Sequence, residues 1–364
     1  MWIPKYSYQL FDLGNYSSLT SISNKTQEIK IRFGTGNTSD SISGECTTPF
    51  SNSQGIAGSS GKCKVGDYMT HPAFLAFDTT GLWVGKFETG YDGATTTTAA
   101  QVNSVDTSKI IIKPNVYSWR NITVGNAFKN SYEYKRDLDS HMMKNTEWGS
   151  VAYLQHSAYG SQANVRINNN SNYITGYAGT VEPTLGYNGA SIDGNRHEST
   201  SLRKDGTYTI NYLNSKSVVA STTGNYSGIY DMSGGSWEYV MGYTTGATTV
   251  GGNSSITSLY PNFFSDSYYS KYWDKYTSTV NTNYNNRILG DGTGEIGPFG
   301  NEIDLNGYIR SSWHKNYATF VYSLSPWFIH SALWSDGAAS GLFAFSFHSG
   351  ESIISISFRV VLTL

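Results

Sequence analysis

Apolar and polar positions alternate along much of this chain, and clusters of Gly, Asn and Asp cut the alternation into short runs. A period of two residues is the signature of half-buried strands, and it predicts them at 29–33, 82–88 and 208–212. The C-terminal stretch is patterned most clearly. Phe343, Phe345 and Phe347 fall on one face of a strand, and Ile354, Ile356, Phe358, Val360 and Leu362 on one face of a second, with Ser349-Gly350-Glu351-Ser352 as the turn between them. Helical spacing is confined to 140–153, where Met143, Glu147, Val151 and Leu154 recur and Asp139 or Ser140 is placed to cap the start, and to a shorter segment at 121–135. Residues 95–100, 168–172 and 244–253 read as exposed loops, and no internal repeat is found. The expected class is α+β, sheet-rich with much irregular loop.

A chain of 364 residues has room for one large domain or two. One is favoured, spanning 1–364 with insertions at about 35–80, 160–220 and 244–290. Only 14% of the residues are charged and the net charge is −2, while Tyr (28), Gly (38) and Trp (9) are abundant, so the surface is built from neutral polar groups and rings. Such a palette suits recognition, because Tyr and Trp offer rigid contact area and Ser, Asn and Gly offer adaptable hydrogen bonds. The plainer alternative is a β-rich secreted or virion protein with Tyr-lined strands. No Lys/Arg stripe points to nucleic acid. The longest apolar stretches, 110–112 and 352–364, are too short to span a membrane as a helix. Met1-Trp2-Ile3-Pro4-Lys5 lacks the basic start and apolar run of a signal peptide, which leads us to expect either a piece of a longer protein or release by lysis.

Candidate chemistry is sparse. Cys46 and Cys63 lie in a Gly/Ser-rich stretch and are open to two readings, a bridge or two free thiols. Asp291-Gly292-Thr293-Gly294-Glu295 sets oxygen ligands on alternate residues, making Asp291, Thr293 and Glu295 a calcium candidate. It lacks the length of an EF-hand loop, and a plain glycine turn is the favoured alternative. There is no Gly-x-Ser-x-Gly elbow, no His-Glu-x-x-His and no phosphate-cradling glycine loop, and the seven histidines are scattered. No catalytic residue is assigned, and no cofactor beyond the calcium candidate.

Four blocks in chain order carry a family resemblance. Gly228-Ile229-Tyr230-Asp231-Met232-Ser233-Gly234-Gly235-Ser236-Trp237-Glu238-Tyr239-Val240 resembles the Gly-Leu-Tyr-Asp-Met-x-Gly-Asn-x-Trp-Glu-Trp block of the formylglycine-generating, sulfatase-modifying-factor family. Trp2-Ile3-Pro4 with residues 81–88 is similar to its opening strands, Lys144-Asn145-Thr146-Glu147-Trp148 to its helix motif, and Gly341-Leu342-Phe343 with Ser357-Phe358-Arg359-Val360 to its closing Gly-Phe-Arg strand. The resemblance covers the whole chain and implies a variant of the C-type lectin fold. The family's enzymes hold copper with a pair of cysteines just ahead of the closing strand. Residues 343–351 here contain none, so the resemblance implies the fold without the activity.

A second branch of the same fold is more similar: ligand-binding proteins of phage tails and bacterial surfaces, some diversified near their C-termini by retroelements. Their Pro-Trp-Phe-x-Arg-Gly-Gly frame, followed by a polar loop and Ala-Gly-Val-Phe, resembles Ser325-Pro326-Trp327-Phe328-Ile329-His330-Ser331-Ala332 and Ser340-Gly341-Leu342-Phe343, with Arg-Gly-Gly replaced by His330-Ser331-Ala332. This resemblance places a candidate ligand-binding, variable region at 313–364. Its outward-facing members are expected to be His314, Ile329, His330, Ser331, Leu333, Trp334, Ser335, Asp336, Ser346, His348, Ser349, Glu351, Ile353 and Ser355. Trp334 is either the anchor of that patch or a plug in the core. The expected partner is a cell-surface protein or glycan receptor, with a homo-oligomer (a trimer, by analogy with tail tips) or other virion proteins as further candidates. The expected location is a virion surface or a bacterial cell surface. The alternatives are a structural virion or pilus-like subunit and, less favoured, a formylglycine-generating-type oxidase.

Overall fold

The computed structural model describes residues 1–11, 27–34, 46, 63, 66–77, 79–162, 164–179, 209–244, 251–276, 288–293, 295–297 and 312–363. Several small sheets and few helices make it a mixed, α+β structure. In chain order its strands are Trp2–Pro4 (β1), Tyr6–Gln9 (β2), Ile31–Phe33 (β3), Tyr68–Thr70 (β4), Gly81–Val84 (β5), Gly90–Tyr91 (β6), Ile110–Ile111 (β7) and His141–Met142 (β8). There follow Ala178–Gly179 (β9), Thr209–Ile210 (β10), Trp237–Thr244 (β11), Asp274–Tyr276 (β12), Trp327–Ser331 (β13), Gly341–His348 (β14), Ile356–Phe358 (β15) and Val360–Thr363 (β16). Helices are Val124–Tyr134 (α1), Asn145–Gln155 (α2) and Gly251–Leu259 (α3).

The largest sheet has the order β12-β11-β13-β14, with β15 parallel to the start of β11. It divides two cores. On β11 and β13, Tyr239, Met241, Trp327 and Ile329 enter the core that also holds Phe128 of α1 and Ile256 of α3. Val240, Phe328, Phe343 and Phe345 enter the other, beside Trp148 and Val151 of α2. Strands buried on both faces need apolar residues at successive positions, which is why Phe328 and Ile329, facing opposite cores, break strict alternation. A second sheet, in the order β1-β5-β16-β8, brings the first and last described strands onto either side of β5.

The run expected as one C-terminal strand is two. β15 joins the large sheet and β16 the second sheet, and the break falls at Arg359. The physical reason is that Arg359 turns its guanidinium into the interior. Its Nε donates to Glu238 Oε2 at 2.9 Å and its Nη2 to Glu238 Oε1, while Nη1 donates to Gly85 O at 2.7 Å and Nη2 also to Tyr230 O at 3.1 Å. Both charged side chains are fully buried, which only such complete pairing permits. Ile354, expected in the apolar face, is 56% exposed because the chain enters the sheet only at Ile356.

Other expectations shift for local reasons. The helix anticipated at 140–153 starts later, because His141–Met142 pairs with β16. Neither Asp139 nor Ser140 caps it. Glu147 reaches back to the Lys144 N–H at 2.8 Å, and Asp274 accepts from the Thr146 N–H at 2.7 Å. The helix anticipated at 121–135 is α1, capped by Thr123, whose hydroxyl oxygen accepts from the Asn126 N–H at 3.3 Å. The stretch 244–253, read as loop, ends in the first turn of α3, and 245–250 lie outside the described residues. Asn168, Asn169 and Asn170, read as exposed, are buried: the Asn168 amide donates to Ile174 O and to Asp231 Oδ1.

Of the strand expected at 208–212, Thr209–Ile210 form β10, Asn211 and Tyr212 lie past its end, and Tyr208 lies outside the described residues. Much of each expected insertion also lies outside them. The described parts pack closely: β4 pairs with β2, and Ala178, Ile210 and Ala220 form a small core with Phe87 and Tyr230. Cys46 and Cys63 form a disulfide at a sequence separation of 17, which closes a loop worth about 3 kcal/mol in the chain-entropy picture.

Candidate ligand-binding surface

The turn leaving β13 is the centre of the region singled out in the sequence. Ser331 and Ala332 both adopt positive φ, 82° and 66°, where the resembled frame carries two glycines. A left-handed backbone strains a residue with a Cβ by about 1–2 kcal/mol, so the surroundings hold this turn in place. The Ser331 hydroxyl donates to Gly234 O at 2.6 Å, and the Trp334 N–H donates to Gly235 O at 3.0 Å. Leu333 N–H donates to Asp336 Oδ2 at 2.9 Å, and the Ser340 hydroxyl to Leu333 O at 3.0 Å. The loop is thus fastened at both ends, with Trp334 half-buried and Ser335 exposed between them.

Trp334 is neither a core plug nor a free side chain. Its ring stands edge-on to Tyr173, with centroids 6.5 Å apart, and the Arg120 guanidinium lies 3.8 Å from the centre of the Tyr173 ring. Two residues beyond Gly235, half-buried Trp237 meets Tyr317 edge-on at 5.9 Å. A second loop, 349–355, borders the same strip: the Trp237 N–H donates to Ser355 O at 3.0 Å, and the Arg120 Nη1 donates to Ile354 O. Glu351 and Ile353 are exposed on it, while His348, Ser349 and Ser355 are half-buried. Tyr239 OH donates to Glu351 O at 2.7 Å and also contacts His348 Nδ1. Burial lowers the His348 pKa, against the opposing pull of Glu351.

Five of the expected surface residues are buried. Ile329 lies in the core containing α1, and Ser331 and Ser346 are covered within β13 and β14. His330 sits on the central strand, with its ring stacked on Trp148 at 4.7 Å and its Nε2 against Asn145 Oδ1. Burial drives its pKa down to about 3, so it is neutral at physiological pH. His314 faces His156, Nε2 to Nε2, at 3.0 Å inside the fold. The reason is common to the β13 and β14 residues: these strands are covered on both faces, so alternation there separates two cores rather than core from solvent. Leu333, Trp334, Ser335, Asp336, His348, Ser349, Glu351, Ile353 and Ser355 remain at least partly accessible. Tyr173, Trp237 and Tyr317, over the buried Arg120, complete the strip and do not stand out in the sequence. Tyr173 follows an Asn-rich run that read as a featureless loop, and Trp237 was seen only as part of a resembling block.

The calcium candidates Asp291, Thr293 and Glu295 are fully buried. Asp291 accepts from Thr293 N–H and Thr293 OH at 2.7 Å each and from Tyr276 OH at 2.7 Å. Glu295 accepts from Gly290 N–H at 2.6 Å, from Tyr8 OH at 3.2 Å and from Tyr153 OH. Burial pushes the Asp291 carboxyl up to about 6. Protein donors already engage these carboxylates, which fits the glycine-turn alternative. Among the described residues, no group of three or more His, Cys, Asp or Glu is placed to hold a metal ion. Cys46 and Cys63 form a disulfide and lie far in sequence from 343–351, the stretch in which the resemblance implies a copper-binding thiolate pair. No described helix is long and apolar enough to cross a membrane.

Searched against protein-family models and against curated proteins, the chain matches neither.

Proposed function

We propose that the chain is a non-enzymatic receptor-binding protein with a C-type-lectin-like fold, which displays the Trp334 loop and the 349–355 loop to a protein or glycan on a cell surface. The observation that carries the reading is the mounting of Trp334. A large ring is left half-accessible, yet its backbone is fastened to Gly235 and its edge rests on a Tyr173 held in turn by Arg120. A rigid aromatic projection on a buried scaffold loses little entropy on binding, which is the economy of a recognition hot spot. Arg359 supports the kinship with the formylglycine-generating superfamily, because its guanidinium, in the closing block, joins Gly85 of the opening block to Tyr230 and Glu238 of the 228–240 block. A phage-tail virion or a bacterial surface is the proposed location.

Labelled chain is to be incubated with a panel of bacterial strains and read by flow cytometry, beside Trp334→Ala. Binding to some strains, lost in a variant that melts at the same temperature, is the expected result. A variant that binds as well as the parent overturns the assignment of the surface.

One observation favours a second reading, a structural subunit that binds its own copies. Trp83 is 42% exposed on β5 and sits beside Trp2, with centroids 5.4 Å apart. If no strain is bound and the chain sediments as a large assembly, this reading replaces the first.

A further inference from the structure

The segment 117–121 runs beneath the aromatic strip and is bonded to three loops distant in sequence. Ser118 N–H donates to Tyr173 O at 2.9 Å, Arg120 N–H to Ala100 O at 3.0 Å and Asn121 N–H to Ile353 O at 3.0 Å. The Arg120 side chain repeats the pattern. Its Nη2 donates to Thr97 O at 2.9 Å and Thr97 Oγ1 at 2.6 Å, its Nη1 donates to Ile354 O, and its planar face covers the Tyr173 ring. The residue is 1% exposed, so these contacts are made inside the protein and not by a solvated arm.

From this geometry we propose that Arg120 is a positioning residue that joins loops 95–100, 170–174 and 351–355 into one composite surface, so that the ligand-facing area extends into the N-terminal half of the chain. The proposal rests on the recognition reading above and widens the surface it uses. The chemistry explains why arginine stands here. A guanidinium donates in its plane to acceptors on two loops while its face stacks on a ring from the third, which a point-charge ammonium cannot do at once. The placement also separates roles. The loops can differ at Thr98, Asn172, Ser335 or Glu351, all exposed, while the group that sets their relative positions is out of reach of both solvent and ligand.

Two measurements test it. Hydrogen exchange is followed on the full chain and on Arg120→Met and Arg120→Lys. The expected outcome is that 95–100, 170–174 and 351–355 all exchange faster together in both variants, by about tenfold or more, the equivalent of one lost charged hydrogen bond. Exchange in α2 should be unchanged. Faster exchange in one loop alone, or in none, overturns the proposal whether or not any cell is bound. In the second measurement, bacterial strains that bind the parent chain are offered Thr98→Arg and Asn172→Arg, with Lys216→Glu, exposed on Ser215–Ala220 outside the three loops, as control. Loss of binding in both arginine variants but not in the control is expected. Full binding by both, while Trp334→Ala fails, confines the ligand to the C-terminal loops and overturns the composite surface without touching the recognition reading. If the parent binds no strain, the recognition reading falls and the ligand-facing part of this proposal falls with it, whereas the exchange result still decides the role of Arg120.

Discussion

Replacing Arg359 with Met leaves the buried Glu238 carboxylate without its two charged hydrogen bonds. Gly85 O and Tyr230 O lose their donors as well. Breaking a buried ion pair from one side costs about 3–5 kcal/mol, because the remaining charge stays desolvated. With an unfolding entropy of about 2.1 cal/mol/K per residue, 364 residues give about 0.8 kcal/mol/K, so about 4 kcal/mol lowers the melting temperature by about 5 °C. Calorimetry or melting followed by tryptophan fluorescence reads this directly. The double variant Glu238→Leu with Arg359→Met should recover most of the loss, since two apolar groups leave no orphaned charge. A shift below about 1 °C in the single variant would refute the reasoning, and so would a double variant as unstable as the two single losses combined.

Three further outcomes are expected. Ala332→Gly relieves a positive φ and should stabilise the chain by about 0.5–1 kcal/mol after the entropy of glycine is counted; a fall in the urea midpoint would contradict the strain. Gly149→Ala places a Cβ 2.0 Å from Gly290 O and 2.5 Å from Asp291 C, so backbone must move, and a loss of about 3 kcal/mol in urea unfolding is expected. Burial lowers the His156 pKa to about 4, so its contribution to stability is fully present above its unfolded value of about 6.5 and is lost as pH falls towards 4. Between those limits His156→Gln should flatten the acid dependence of stability by about 1.4 kcal/mol per pH unit relative to the parent. Comparing the two chains cancels buried carboxyls such as Glu88 and Asp291, whose raised pKa values act in the opposite sense. Parallel pH profiles would show that His156 takes up no extra proton on unfolding.

Where one periodicity met one environment, the sequence was legible. The short strand at 31–33 lies where the pattern places it within its frayed ends, whereas the strand expected at 82–88 stops at Val84 and the helix expected at 121–135 begins only at Val124. The pattern misled where a strand is covered on both sides. His330 and Ser346 are polar residues in such strands, and a period of two assigns them to solvent, although here the opposite face is another core. The break at Arg359 was hidden for a related reason: an arginine between apolar residues reads as outward-facing, and only its partner Glu238, 121 positions away, turns it inward. The candidate surface was half legible. Trp334 and the 349–355 loop stand out in the C-terminal pattern, whereas Tyr173 and Arg120 join them only through contacts between residues far apart in the chain, which no local spacing records.

The position of β16 between β5 and β8 also sets the order in which the molecule can be made. Its partners are 81–84 and 141–142, so the second sheet stays open along the middle until residues 360–363 have left the ribosome. The Arg359–Glu238 pair, which ties that strand to the large sheet, must wait equally long. Such distant pairings are slow to find and leave strand edges bare in the meantime. Synthesis of this chain should therefore carry an aggregation-prone interval that lasts until β16 emerges to pair with β5 and β8, and a nascent chain halted before residue 360 should remain protease-sensitive, however much of the recognition surface it already contains.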